Sequence, residues 1–218
     1  MAVTDQRARD EHDVDDSGEE PTPVLGDRGF GVRLALGGLV GFVAAFILTV
    51  ERFELAADSD YVPSCSLNPV LSCGGVMESW QAALLGFPNP LIGVASFAVL
   101  TTLGVLLAAG TVLPRWVGAG LLAGVGAGTA FVVWLISQSL YDIGALCLYC
   151  MVVWAVMIPT FWTTLARSLE QRVLPAPRAV ADAVVDLRVP LVLVSYAVVV
   201  TLVGVRFWDY WQTLLPFA

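Results

Sequence analysis

The chain contains no lysine, one histidine and four cysteines, and charged residues fill only 14% of its 218 positions. Each scarcity excludes something. So little charge, with 57% hydrophobic residues and a mean hydropathy of +0.78, departs from the balance of a soluble domain and points to a membrane protein. The lone histidine, His12, stands in an acidic N-terminal stretch. No histidine general base or haem ligand is therefore at hand beside the cysteines. Zinc is also short of partners, because zinc knuckles combine two short-spaced cysteine motifs or add histidines, and Cys65 and Cys73 are widely spaced. No metal and no nucleic-acid partner are expected.

The net charge of -8 is concentrated at the start, in Asp5, Asp10, Glu11, Asp13, Asp15, Asp16, Glu19 and Glu20. Residues 1–29 hold almost no large apolar side chains and cannot bury enough surface to offset chain entropy. They read as a disordered acidic cytoplasmic tail. The first apolar run begins near Phe30, too late for a signal peptide, so no cleavage is expected.

A hydrocarbon core ~30 Å thick needs about 20 apolar residues per helix. Five segments qualify: Phe30 to Val50, Leu91 to Val112, Trp116 to Ile136, Leu146 to Leu165, and Val189 to Phe207. The expected fold is an all-α membrane protein, with a four-helix transmembrane bundle over residues 30–167. A cytoplasmic linker (168–188) and a fifth transmembrane helix with a short outer end (189–218) follow. Gly118, Gly120, Gly124, Gly126 and Gly128 in the third span suit close helix approach in lipid. Arginine is the only strongly basic residue, so its placement gives the orientation. Arg28, Arg33, Arg115, Arg167, Arg172, Arg178 and Arg188 gather at one end, which is assigned to the cytoplasm. Arg33 is close enough to its helix end to snorkel. Residues 51–90 and Ser137 to Ala145 then form extracytoplasmic loops, and all four cysteines fall on that face.

Cys147-Leu148-Tyr149-Cys150 is a C-x-x-C at a helix start. Residues three apart on a helix stand ~5–6 Å apart on one face, within disulfide range. The positive end of the helix dipole stabilises a thiolate there. The alternative is two small residues packed at a helix end. Cys65 and Cys73 occupy a stretch rich in proline, serine, asparagine and glycine, where a disulfide is sterically plausible. Alone, such a bond reads as structural; two pairs on one face also suit thiol–disulfide exchange. Val76 to Leu85 places Val76, Met77, Trp80, Ala83 and Leu84 on one face of a short interfacial helix. That helix would cover an apolar cavity beside Cys147 and Cys150. Asn89, between Pro88 and Pro90, is either a cap of the second span or a ligand contact.

The order of these features, a loop cysteine pair, Ser79, Asn89, then C-x-x-C opening the fourth helix, resembles the vitamin K epoxide reductase family and its bacterial homologues over roughly Phe30 to Leu165. The resemblance implies four helices around a quinone, with the loop pair relaying electrons to the C-x-x-C pair. It makes Cys65 the outer shuttle cysteine and Cys73 the one that exchanges with Cys147. Cys150 then faces the quinone, with Asn89 and Ser79 as further cofactor-binding residues. Bacterial members reoxidise a DsbA-like thioredoxin-fold protein and so support disulfide formation in exported proteins. Many carry a thioredoxin-like domain after the fifth helix; this chain stops at Ala218, so a separate partner is expected. Trp154 stands where the vertebrate enzymes have a tyrosine, which sets quinone-epoxide chemistry and coumarin sensitivity apart from the expectation. The arginine-, alanine- and valine-rich composition suggests a high-GC bacterium, hence a bacterial cytoplasmic membrane, with menaquinone favoured and ubiquinone the alternative. The competing reading is a non-enzymatic membrane scaffold or transporter subunit with two structural disulfides. A reductase driving electrons outward lacks a cytoplasmic cysteine to receive them.

Overall fold

The computed structural model describes residues 27–58 and 60–214, so the proposed acidic tail lies almost wholly outside the described residues. The first helix, α1 (Arg28–Ala57), opens at Asp27, whose carboxylate accepts from the Gly29 N–H at 2.8 Å. That bond satisfies one of the donors a helix start leaves open. Helix α1 is 30 residues long, about 45 Å at 1.5 Å per residue, and its last turns outreach the hydrocarbon core. The short helix α2 (Cys73–Glu78) and a 3₁₀ turn (Trp80–Ala83) follow. Next come α3 (Pro90–Ala108) and α4 (Arg115–Gln138), which widens into a π turn at Ser139–Ile143. The chain continues through α5 (Leu148–Glu170), α6 (Arg178–Asp186), α7 (Arg188–Arg206) and α8 (Trp208–Leu214). Helices α1, α3, α5 and α7, and α4 with its π turn, are long and apolar enough to cross a membrane. The fold is all-α, and among the described residues the only extended pairing is one isolated bridge.

Helix α1 packs along α3 and also against α5, while α4 and α7 pack on α5. Glycines make the closest approach, although not those of α4. A Cβ on Gly104 would lie 2.3 Å from the Ala35 amide, and one on Gly31 2.4 Å from that of Ala108, so only hydrogen fits between α1 and α3. Of the α4 glycines expected to pack tightly, Gly120, Gly124 and Gly126 have no neighbour within 4 Å at that position, whereas a Cβ on Gly128 would lie 3.1 Å from the Met157 methyl. Three boundaries also differ from expectation. Helix α1 runs past Val50, the interfacial segment breaks at Ser79, whose ψ of 150° is extended, and the expected linker contains α6.

Candidate active site

Two backbone hydrogen bonds decide where the cysteines meet. The Leu146 N–H donates to the Val70 carbonyl at 2.8 Å and the Ser72 N–H to the Leu146 carbonyl at 3.0 Å. This pairs Leu71 with Leu146 as the isolated parallel bridge. The bridge lays the residues before Cys73 beside those before Cys147. Local chemistry sets up both strands. The Asn68 carbonyl oxygen accepts from the Val70 and Leu71 amides at 3.0 and 2.7 Å, an Asx turn. Gly144 takes a φ of +69°, the left-handed region that favours glycine.

Each strand then turns into a helix. Ser72 caps α2, accepting from the Gly75 N–H, and Cys147 caps α5, its sulfur accepting from the Cys150 N–H at 3.4 Å. The outcome is a line of sulfurs. Cys65 and Cys73 are disulfide-bonded with Cα atoms 5.6 Å apart, while Cys147 and Cys150 are free thiols. Cys73 Sγ and Cys147 Sγ are 3.4 Å apart. The sulfurs of Cys65, Cys73 and Cys147 lie within 4.8 Å of one another. With two of them joined, only Cys147 offers a thiolate among the three, whereas structural zinc takes four ligands. The Cys147 thiol is held below the ordinary thiol range. The hydrogen bond from the Cys150 thiol is the main cause; burial opposes it, and the Cys150 and Tyr149 amides add to it.

The loop cysteines are not presented to solvent as the sequence suggests. Cys65 is 1% exposed and Cys73 fully buried. The Glu51 carboxylate, on the extra turns of α1, fastens the loop. It accepts from the Tyr61 hydroxyl at 2.9 Å, the Ser64 amide at 3.1 Å and the Ser64 hydroxyl. The Ser64 hydroxyl also lies 3.4 Å from that of Tyr149, inside the C-x-x-C.

Beneath the sulfurs is a cavity of about 950 Å³ lined mostly by apolar side chains, with Cys147, Cys150, Trp154 and the polar Arg52, Ser79, Gln81, Asn89, Ser96 and Ser139 among its walls. It separates α3 from α4, and the unfilled space at Gly120 and Gly124 belongs to it. All six residues singled out from sequence therefore gather in one region, four of them on the cavity wall. Asn89 does not cap α3 through its side chain. Its amide nitrogen donates to the Gln81 carbonyl at 2.6 Å, and its oxygen accepts from the Leu84 N–H at 3.2 Å. These bonds use one of the two N–H groups of the Asn89 amide. The Ser79 hydroxyl donates to the Val76 carbonyl at 2.7 Å, which leaves it an acceptor. Sequence reasoning missed Gln81, buried and bonded to Gln138 and Asp142, and it gave Glu51 no role. Trp80 is 64% exposed against Trp134 rather than on the buried face.

The description "Vitamin K epoxide reductase family" belongs to the family model that matches residues 32–165, more than half of the chain. The chain belongs to that family. Membership makes it a multi-pass membrane thiol oxidoreductase, and the match takes in all four cysteines, Ser79 and Asn89. It ends before α7. A comparison with curated proteins finds no match.

Proposed function

We propose that this vitamin K epoxide reductase family protein is a thiol:quinone oxidoreductase that reoxidises a DsbA-like thioredoxin-fold partner at the extracytoplasmic face of a bacterial membrane. The observation that carries it is the 3.4 Å separation of Cys73 and Cys147 directly above a membrane-level cavity. The partner's dithiol reduces the Cys65–Cys73 disulfide. The Cys73 thiolate then attacks Cys147 of a Cys147–Cys150 disulfide, and Cys150 leaves as a thiolate. Cys65 attacks Cys73 in turn, so that Cys147 is released and the loop disulfide re-forms. A loop disulfide beside free Cys147 and Cys150 is the arrangement such a transfer would leave. Hydrogen bonding from Cys150 makes Cys147 the better leaving group, since lower-pKa thiolates leave faster.

The cavity suits a quinone. Its volume is at the upper end of small-molecule sites, and its wall is apolar with few polar groups at one end. The open side between α3 and α4 offers an isoprenoid tail a way to lipid. Asn89 would donate its free N–H to a ring oxygen, Ser79 would accept from a protonated one, and Cys150 would face the ring. A bound quinone supplies the capacity for two electrons and two protons; the protein supplies proximity and a dry wall. Menaquinone is favoured over ubiquinone on composition alone. Purified chain given a dithiol should reduce a soluble quinone analogue, seen as loss of quinone absorbance. No loss above the uncatalysed rate would return the four cysteines to a scaffold with structural disulfides.

A further inference from the structure

Side chains on α7 and at its end reach into the elements that carry the thiols. Pro159 in α5 has no N–H, so the Ala155 carbonyl one turn earlier lacks its intrahelical partner. The Tyr196 hydroxyl of α7 donates to that carbonyl, and Trp162 Nε1 donates to Ser195 Oγ at 3.0 Å nearby. At the far end of α7, Arg206 Nε donates to the Leu140 carbonyl at 2.6 Å. Leu140 is fully buried in the π turn Ser139–Ile143, where a helix leaves its last carbonyls open and a cation is favoured. The Arg206 guanidinium also borders Gly144, the left-handed hinge of the same turn. Phe207 follows, buried in the core cluster that includes Leu140 and Leu146.

The turn leading to Cys147 is thus held at two points. Arg206 holds it at Leu140, and the bridge to Val70 and Ser72 holds it at Leu146. We propose that α7 is a brace for the thiol turn, and that Arg206 is the positioning residue through which it keeps Cys147 against Cys73. The proposal rests on the exchange reading above and assigns a task to a span beyond the family match.

The experiment uses the full chain with Cys150→Ser. There the Cys147 thiolate attacks Cys73, a Cys73–Cys147 bond forms, the Cys65–Cys73 bond breaks, and Cys65 leaves as a thiolate protonated by water. No net oxidation occurs, and without Cys150 only Cys65 can reverse the step, so the Cys65–Cys73 and Cys73–Cys147 bonds come to an equilibrium whose position reports how well Cys147 is held against Cys73. The Cys73–Cys147 fraction is read by acid quench, alkylation and peptide mass spectrometry. Arg206→Met, which keeps the apolar stem, should lower that fraction about tenfold, the size of one lost charge-assisted hydrogen bond. Arg206→Lys, which restores charge and a donor, should return it to within about threefold. Tyr196→Phe should shift it severalfold in the same direction, and it carries the test if Arg206→Met fails to accumulate. Fractions unchanged in both Arg206→Met and Tyr196→Phe overturn the brace alone. Absence of the Cys73–Cys147 bond in Cys150→Ser itself overturns the exchange reading and the brace with it.

Discussion

Removal of Glu51 should expose the loop disulfide. Cys65 is 1% exposed, so any reductant must wait for the loop to lift, and lifting breaks the three hydrogen bonds that Glu51 accepts from Tyr61 and Ser64. Hydrogen bonds to a charged group contribute about 1.5–3 kcal/mol each. Ser64 is exposed and Tyr61 partly so, and water compensates for much of what the lifted loop loses. A net closing contribution of ~2 kcal/mol for the set is a reasonable scale. At about 1.4 kcal/mol per factor of ten, Glu51→Ala should raise the lifted fraction about thirtyfold. Glu51→Gln keeps one acceptor oxygen, and the Ser64 hydroxyl can turn to accept from the new amide, so about three- to fivefold is expected. The assay is reduction of purified chain by a water-soluble phosphine, followed by thiol labelling of Cys65 and Cys73. Where opening is fast, the rate follows the open fraction. An unchanged helical signal and unfolding midpoint would show that the effect is local. A rate for Glu51→Ala within twofold of the parent would refute the idea that this carboxylate closes the loop.

Cys150→Ala should make exchange at Cys147 more dependent on high pH. The folded Cys147 pKa is depressed, chiefly by the Cys150 hydrogen bond, so thiolate persists below the ordinary thiol range and exchange falls as pH drops through the folded value. Without the donor that fall should move to higher pH; a midpoint that stays or moves lower, read from the rate of Cys73–Cys147 bond formation, counts against the cause given. Asn89→Ala removes two bonds within the interfacial segment and leaves groups without partners at about 1–3 kcal/mol. Both the unfolding midpoint and the apparent affinity for quinone should drop, and surviving protein with a normal KM would leave Asn89 a structural tie alone. An impermeant thiol reagent applied to intact cells after mild reduction should label the loop cysteines; labelling only after lysis would reverse the orientation.

The five spans were legible because a bilayer imposes a length on apolar runs, although α1 runs on to Ala57, α5 to Glu170 and α4 into its π turn. The ends were less legible. Glu51 looks like a helix stop because its charge needs partners, and those partners lie ten and thirteen residues on, at Tyr61 and Ser64, where only the folded chain brings them. Val76 to Leu85 shows helical spacing throughout, yet Ser79 turns its hydroxyl back to the Val76 carbonyl and ends the helix there. The thiol region was readable from C-x-x-C and the turn-forming loop, since both are local patterns. Its geometry was not, because the bridge between Leu71 and Leu146 is made of backbone atoms that any residues provide. Gln81 carried no signal, because its burial depends on Gln138 and Asp142 at the end of another span.

Electron flow through the two pairs in series is tested most directly by quinone absorbance loss in two variants, each with two donors. Cys150→Ser should stop quinone reduction with a DsbA-like protein and with a small dithiol alike, because the C-x-x-C pair can no longer close. Cys65→Ser should lose turnover with the protein donor yet keep measurable turnover with a small dithiol able to reach Cys147. Parent-level activity of Cys65→Ser toward the protein donor would contradict the relay and leave the Cys65–Cys73 bond a structural clip.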